Sequence, residues 1–278
     1  MKANKNKQAN NGNLENVDAT SSSHKGLAGL FETALRRFRV VTYLLALIPV
    51  YFLGILAMSI SAIPGIFLVK YTLTTLNYLP EFLYFGAIAF SVISSYFLYG
   101  FTLIFVIPLF NFLMPFRLKA FRGGFYSLAS VPWYIHNAFT YIVRYTFLEF
   151  ITPTPLNLLF FRMMGMKIGK GAHINTTNIS DPALIEIEDK VTIGGSVHIL
   201  AHYASKGYLI VEPVKIRKGA TIGLKATIMG DVEIGENATI APHEAILPKT
   251  RIPAGRKPFI NDEKERIEKQ KLPSQDFL

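Results

Sequence analysis

The sequence predicts a membrane-anchored all-β solenoid: an α-helical transmembrane N-terminal half, then short strands wound into a rod, then a short C-terminal helix. Three observations carry this reading. Residues 40–69 and 82–116 contain no charged side chain. In the second half an Ile stands at 216, 222, 228, 234, 240, 246 and 252, every sixth residue. The composition is also too apolar for an average soluble domain: of 278 residues, 50% are hydrophobic and 17% charged, with a mean hydropathy of +0.31.

Residues 1–38 read as a disordered basic tail, because the first 25 or so are rich in Asn, Lys and Ser with almost nothing to bury. The first apolar run begins too late for a secretory signal and has no small-residue cleavage site after a short core. Residues 39–116 read as two transmembrane helices, since each uncharged stretch exceeds the roughly 20 residues that cross a hydrocarbon core. Nothing else in the chain is large enough to bury two such helices in a soluble domain. Pro49, Pro64 and Pro108 imply kinks, or breaks near an interface, and a re-entrant hairpin is the alternative to two tilted spans.

Basic residues set the orientation. Lys2, Lys5, Lys7, Lys25, Arg36, Arg37 and Arg39 precede the first span, only Lys70 lies between the spans, and Arg117, Lys119 and Arg122 follow. Both flanks are therefore expected on the cytoplasmic side of the cell's inner membrane, with the connector outside. The formal charge of +10 has its explanation there, and no nucleic-acid motif competes for it. With no Cys in the chain, disulfides and cysteine nucleophiles or ligands are excluded. That usage fits a reducing compartment.

Residues 117–161 read as an interfacial amphipathic linker. Phe125, Tyr126, Trp133, Tyr134, Phe139, Tyr141, Tyr145, Phe147 and Phe150 are interleaved with His136, Arg144 and Glu149. Aromatics mixed with a few polar groups suit the headgroup level, in one or two in-plane helices. A third span would instead put the C-terminal half across the membrane. Pro153 and Pro155 close the segment.

Residues 162–260 hold the period of six, which neither a helix nor an ordinary strand has. The second inward position, two residues before each Ile, carries Val214, Ala220, Ala226, Val232, Ala238, Glu244 and Thr250, mostly small or β-branched as a tight corner requires. Gly223 and Gly235 directly follow their Ile, where glycine allows a turn conformation closed to other residues. Such strands wind three to a coil, roughly 18 residues per coil, and bury each coil against the next. The pattern begins earlier, at Met166, Ile168, Ala172 and Ile174, and continues through Ile185, Ile187, Val191, Ile193, Val197 and Ile199. Two breaks interrupt it: residues 175–184, and the excursion LAHYASKGYLIVEP over 200–213. Loops inserted in a regular rod often carry function. Residues 261–278 read as a charged helix and tail, with Asn261 as a cap before Asp262 and Glu263.

Over residues 166–254 the hexads resemble the left-handed parallel β-helix of hexapeptide-repeat acyltransferases, such as the maltose, galactoside, serine and colanic-acid O-acetyltransferases. The block SDPALIEIEDKVTIGGSVHILAHYASKGYLIVEPVKIRKGATIG is similar to a subgroup, the membrane-linked β-helix domain ending nonribosomal peptide synthetases of the poly-lysine-synthetase type. There, too, apolar spans and an aromatic linker precede blocks like FRMMGMKIGKG and P-V-x-I-x-x-G-A-T-I-G. With no adenylation or carrier domain in these residues, the expectation is a stand-alone relative.

The resemblance implies a membrane-bound acyltransferase. It would move an acetyl or acyl group from coenzyme A to a hydroxyl or amine of a membrane-associated small-molecule, saccharide, lipid-linked or peptide acceptor. Acetyl-CoA or another acyl-CoA is then a co-substrate, with no permanently bound cofactor and no metal. A histidine is the natural general base at neutral pH. Of six His, His24 lies in the tail and His136 at the presumed interface, leaving His173, His198, His202 and His243. In the family the base is a His just before a loop leading into P-[IV]-x-[IV]-G-like hexads, which matches His202, at the start of the excursion. His198 points outward from the same coil and, with Tyr203 and Glu212, is assigned to substrate binding. The carboxylate or carbonyl that orients His202 stays open between Glu212 and Asp181. His243 reads as a turn residue on the surface.

By position, Gly223, Ala226 and Thr227 would line the pantetheine arm of coenzyme A, and Lys225, Lys249, Arg251, Arg256 and Lys257 would meet its phosphates. The family's terminal G-N-P-A-like turn is replaced by AGRKPFIND. Family members are trimers with each site between subunits, and a homotrimer is expected here. Three other readings stand beside this one. A zinc hydratase of the γ-carbonic-anhydrase kind would use His173, His198 and His202, at a spacing that does not fit that family. A non-catalytic platform in a biosynthetic complex would need no base at all. Amide formation, as in the synthetase-linked relatives, shares the same thioester logic.

Overall fold

The computed structural model describes residues 19–22 and 24–257. The first 18 residues of the expected tail and the helix expected over 261–278 lie outside the described residues. Residues 26–37, read from sequence as tail, instead form helix α1 (Gly26–Arg37). Its Glu32 and Arg36 are buried and pair at 2.9 Å, one turn apart.

Helices α2 (Arg39–Thr75) and α3 (Glu81–Leu113) follow, 37 and 33 residues long and apolar enough to cross a membrane. At 1.5 Å per residue they are about 55 and about 50 Å long, more than the ~30 Å hydrocarbon core requires. Both run unbroken through Pro49, Pro64 and Pro108. They pack as an antiparallel hairpin: Tyr84 donates its hydroxyl to Leu73 O, and further along Gly65 lies against Ser95. A Cβ at Gly65 would stand 2.7 Å from that of Ser95, so glycine permits the close approach. Large apolar side chains such as Phe52, Ile55, Phe90 and Ile93 face outward.

The linker holds two helices, as its sequence reading expected, together with a strand that the reading did not include. It opens with a strand, β1 (Phe121–Gly124), before helices α4 (Val131–Thr146) and α5 (Pro155–Met163). At 16 residues, or about 24 Å, α4 is too short for a third span. Its aromatics do not all meet solvent or lipid. Phe139, Phe147, Phe160 and Phe161 are fully buried, while Tyr145 and Phe150 are exposed. Phe139 packs edge-on to Phe110 of α3, and Phe147 packs on Phe97, Phe101 and Gly100 of the same helix. Arg144 of α4 donates to Thr177 O and Ile179 O at 2.7 and 2.6 Å, and Asn157 of α5 donates to Ile174 O at 2.9 Å.

Three parallel sheets make the rod, one strand from each coil in each sheet. The first sheet holds β2 (Lys167–Ile168), β5 (Ile185–Ile187), β10 (Val214–Ile216), β13 (Val232–Ile234) and β16 (Arg251–Ile252). The second holds β3 (His173–Ile174), β6 (Thr192–Ile193), β11 (Thr221–Ile222) and β14 (Thr239–Ile240). The third holds β4 (Ile179–Ser180), β7 (His198–Leu200), β12 (Thr227–Ile228) and β15 (Ala245–Ile246). Ile187, Ile216, Ile234 and Ile252 pair in register up one sheet, and the equivalent Ile residues do so in the others. Those columns are the core.

The corners differ from the sequence reading. Gly223 and Gly235 are not in the left-handed region. A Cβ there would lie 2.5 Å from the backbone nitrogen of Pro242 or Ala254, so these glycines make room for the next coil. The left-handed residue comes two positions after Gly223 and Gly235, and recurs at Gly219, Lys225, Asp231, Asn237, His243, Lys249 and Gly255.

The 200–213 excursion is a hairpin of β8 (His202–Ser205) and β9 (Tyr208–Val211). Lys206 and Gly207 turn it with φ of 51° and 79°, as a two-residue hairpin loop demands. Strand β1 pairs with β9, so the linker pins the hairpin to the rod.

Candidate active site

In the third sheet Ser180 of β4 pairs with Leu200 of β7. The residues that leave those strands, Asp181 and Ala201–His202, are therefore neighbours across one coil. Asp181 takes a left-handed turn (φ 60°) that carries its side chain out of the strand line, and it is fully buried. Its Oδ2 lies 2.5 Å from His202 Nδ1. Donation from Nδ1 to the carboxylate fixes the tautomer and leaves Nε2 as the basic nitrogen. The His202 side chain is 20% exposed, so the ring is held from behind and reachable from outside. The structure thus takes Asp181, and not Glu212, as the partner of His202.

Helix α4 closes the back of the site. Asn137 Nδ2 donates to Asp181 Oδ1 at 2.6 Å and to Trp133 O at 3.0 Å. The Trp133 ring stands edge-on to His202 with centroids 5.1 Å apart. One turn of helix thereby orients both members of the pair. His136, read from sequence as interfacial, is buried beside them, its Nδ1 3.0 Å from Asn111 Oδ1 at the end of α3. Burial drives its pKa down to about 4, against the opposing pull of the Asp181 charge, so the ring is neutral at neutral pH. Sequence reasoning missed Asn111, Trp133 and Asn137 as parts of a site. The only available signal was the i, i+4 spacing of Trp133 and Asn137, which puts both on one helix face.

Glu212 N donates to Ala201 O at 2.9 Å, which places Glu212 at the base of the hairpin. Its carboxyl is half-buried, and burial, then the Asp231 charge, raises its pKa. Tyr203 is raised by burial as well, with Asp231 and Glu212 adding to it. His198 points outward from β7 beside Thr227. His173 is exposed on β3, and His243 is exposed at a left-handed corner. Among the described residues, no three His, Asp or Glu side chains group as a metal ion would need.

The residues assigned to coenzyme A are spread out. Gly223 and Thr227 are half-buried, and Lys225 is exposed between them. Ala226 is fully buried, with its N–H donated to Gly223 O and its carbonyl accepting from His198 N. Its methyl faces the rod interior and offers no surface to a ligand. Lys225 and His243 share the corner between the second and third sheets. Lys249 shares with Asp231 the corner from which the His202 hairpin leaves. Arg251 pairs with Asp231 Oδ1 at 2.5 Å, and Arg256 with Glu244 Oε1 at 2.6 Å, so both guanidinium groups already have a carboxylate. Lys257 is exposed.

No family model matches the chain. One curated relative, δ-poly-L-ornithine synthetase of Acinetobacter baumannii (strain AB307-0294), is 24% identical over 143 residues. The match covers 51% of this chain and 10% of the relative, so the chain spans about a tenth of that protein's length. Among solved structures, the chain is similar to serine acetyltransferase of Brucella abortus strain S19 in complex with coenzyme A. Identity is 15%, TM-score 0.30, with 56% of this chain and 50% of that one covered. It is also similar to a maltose O-acetyltransferase of Clostridium difficile 630. Identity there is 19%, TM-score 0.25, with 49% of this chain and 89% of that one covered.

Proposed function

We propose that this protein is a membrane-bound acyltransferase of the hexapeptide-repeat kind, with a left-handed rod, in which His202 is the general base and Asp181 orients it. The acyl donor is coenzyme A thioester, and the acceptor is a hydroxyl or amine of a membrane-associated molecule. The observation that carries this reading is the 2.5 Å contact between His202 Nδ1 and buried Asp181. A neutral imidazole held by a carboxylate on one nitrogen presents the other as a proton acceptor, the arrangement that activates a nucleophile.

In this reading Nε2 takes the proton as the acceptor oxygen or nitrogen attacks the thioester carbonyl. The tetrahedral intermediate collapses, the C–S bond breaks, and the leaving thiolate recovers the proton from Nε2. Glu212, Tyr203 and His198 line the acceptor side. Gly223 and Thr227 lie along the donor track, with Lys225, Lys249 and Lys257 as the phosphate contacts. Assembly as a trimer would bring together basic residues that one subunit keeps on separate corners. The two apolar helices cross the membrane and hold the rod on its cytoplasmic face. The poly-ornithine synthetase relative supports a second reading, in which the acceptor is an amine and the product an amide.

Release of free thiol from acetyl-CoA by membranes bearing the protein tests the reading. His202→Ala should lower the rate by roughly 10²–10⁴-fold, the usual worth of a general base. Equal rates for the two proteins would remove His202 from the chemistry.

A further inference from the structure

The acceptor side carries a feature that the reaction alone does not require. A groove of ≈ 420 Å³ runs between α2 and α4, lined by Val50, Gly54 and Met58 on one side and Ala138, Tyr141 and Ile142 on the other. That volume falls in the ~300–1,000 Å³ range of ligand sites. The lining is apolar along its length, and the outer end is framed by lipid-exposed α2 residues such as Ile55.

Bulk lipid covers any apolar helix face, so apolarity alone singles out nothing. The inner end does. Tyr141 forms the groove wall, and its hydroxyl lies 3.2 Å from Ser180 Oγ, the residue before Asp181. Val50 also lines a second recess along the same seam, together with Tyr43, Tyr126 and Tyr134. Tyr134 stands edge-on to Trp133 at 4.9 Å, and Trp133 to His202 at 5.1 Å. Two packed aromatic side chains, Tyr134 and Trp133, thus link the wall of the seam to His202. The recess between α2 and α3, around Ala62 and Gly65, has no such connection and leads toward Lys70.

Charge points to the occupant. The Arg39 guanidinium lies over the ring of Tyr126, which lines the second recess, at 5.8 Å. Arg122 lies over Tyr208 of the hairpin at 4.9 Å. Neither makes an ion pair with a described residue.

We propose that the seam between α2 and α4 holds the apolar chain of a lipid-linked acceptor with an anionic link, leaving the acceptor's polar head at His202. The inference rests on the acyl-transfer reading for what happens to that head, but the binding itself does not depend on it.

The test uses full-length protein in phosphatidylcholine vesicles, irradiated with a diazirine-bearing prenyl phosphate. Adducts are mapped by mass spectrometry beside those of a photoreactive phosphatidylcholine. Prenyl phosphate adducts should concentrate on the seam residues of α2 and α4. Ala138→Phe, which fills the groove, should reduce them about ten-fold, and Ala62→Phe in the other recess should not. Unlabelled prenyl phosphate should compete better than the corresponding alcohol if the anionic link matters. If Ala138→Phe also loses phosphatidylcholine adducts on α3, it has misfolded, and Val50→Phe repeats the measurement. Seam labelling no denser for prenyl phosphate than for phosphatidylcholine, or unchanged in both filling variants, overturns the proposal. Absent seam labelling alongside His202-dependent thiol release would remove this inference alone and indicate a water-soluble acceptor. Seam labelling without thiol release would remove the acyl-transfer reading alone.

Discussion

Asp181 has no access to solvent and depends on two donors, His202 Nδ1 and Asn137 Nδ2. Asn137→Ala should leave a buried carboxylate oxygen without a partner, at a cost of about 1–3 kcal/mol, and lower turnover. Thermal unfolding and thiol release on the same preparation check both effects. His202 was legible because it stands where the period of six breaks. Asp181 was named only as one of two options, because 21 residues separate it from His202 while a regular coil is 18, and the extra residues of the short break hide the stacking. Asn137 and Trp133 carry no periodic signal, so only their packing against the rod reveals them. His136 sets a pH dependence of its own. Its folded pKa, about 4, lies below the ordinary 6.5, so the unfolded chain binds the proton more readily. Stability is therefore full above about pH 6.5 and is lost as pH falls toward 4, by at most on the order of 3 kcal/mol from this group. Melting curves of His136→Gln should show a shallower loss between pH 6.5 and 4 than the wild type.

The strands and their register followed from the Ile spacing, but the corners did not. Glycine after Ile and glycine at positive φ have the same sequence appearance, and only the distance to the next coil separates them. Gly223→Ala should be destabilising by roughly 1–3 kcal/mol, since the added methyl meets the backbone at Pro242. His243→Gly, at a left-handed corner, should be neutral or stabilising by up to about 1 kcal/mol. Denaturant midpoints of the two variants in detergent test the contrast. The strand and the buried aromatics of the linker were hidden for a related reason. An aromatic-rich segment fits either a headgroup layer or a packed junction between apolar helices and a solenoid. The deciding facts, that Phe139 packs on Phe110 and Arg144 on the first-coil carbonyls, are tertiary.

Across the whole molecule, α4 joins two halves that were each legible alone. It packs on the apolar hairpin through Ile142 at Gly54 and on the rod through Arg144, Tyr141 and Asn137. The candidate site forms at that junction, where the end of α3, the linker and the broken coil meet. In the proposed reaction a membrane-held acceptor and a rod-bound donor would meet there. The organisation stands or falls on which carboxylate serves His202. Thiol release from acetyl-CoA by membranes bearing Asp181→Asn or Glu212→Gln decides it. The geometry predicts that Asp181→Asn lowers kcat by about 10²–10⁴-fold with KM for acetyl-CoA little changed, while Glu212→Gln keeps kcat within about ten-fold of the wild type. Full activity in Asp181→Asn, with loss in Glu212→Gln, would contradict it.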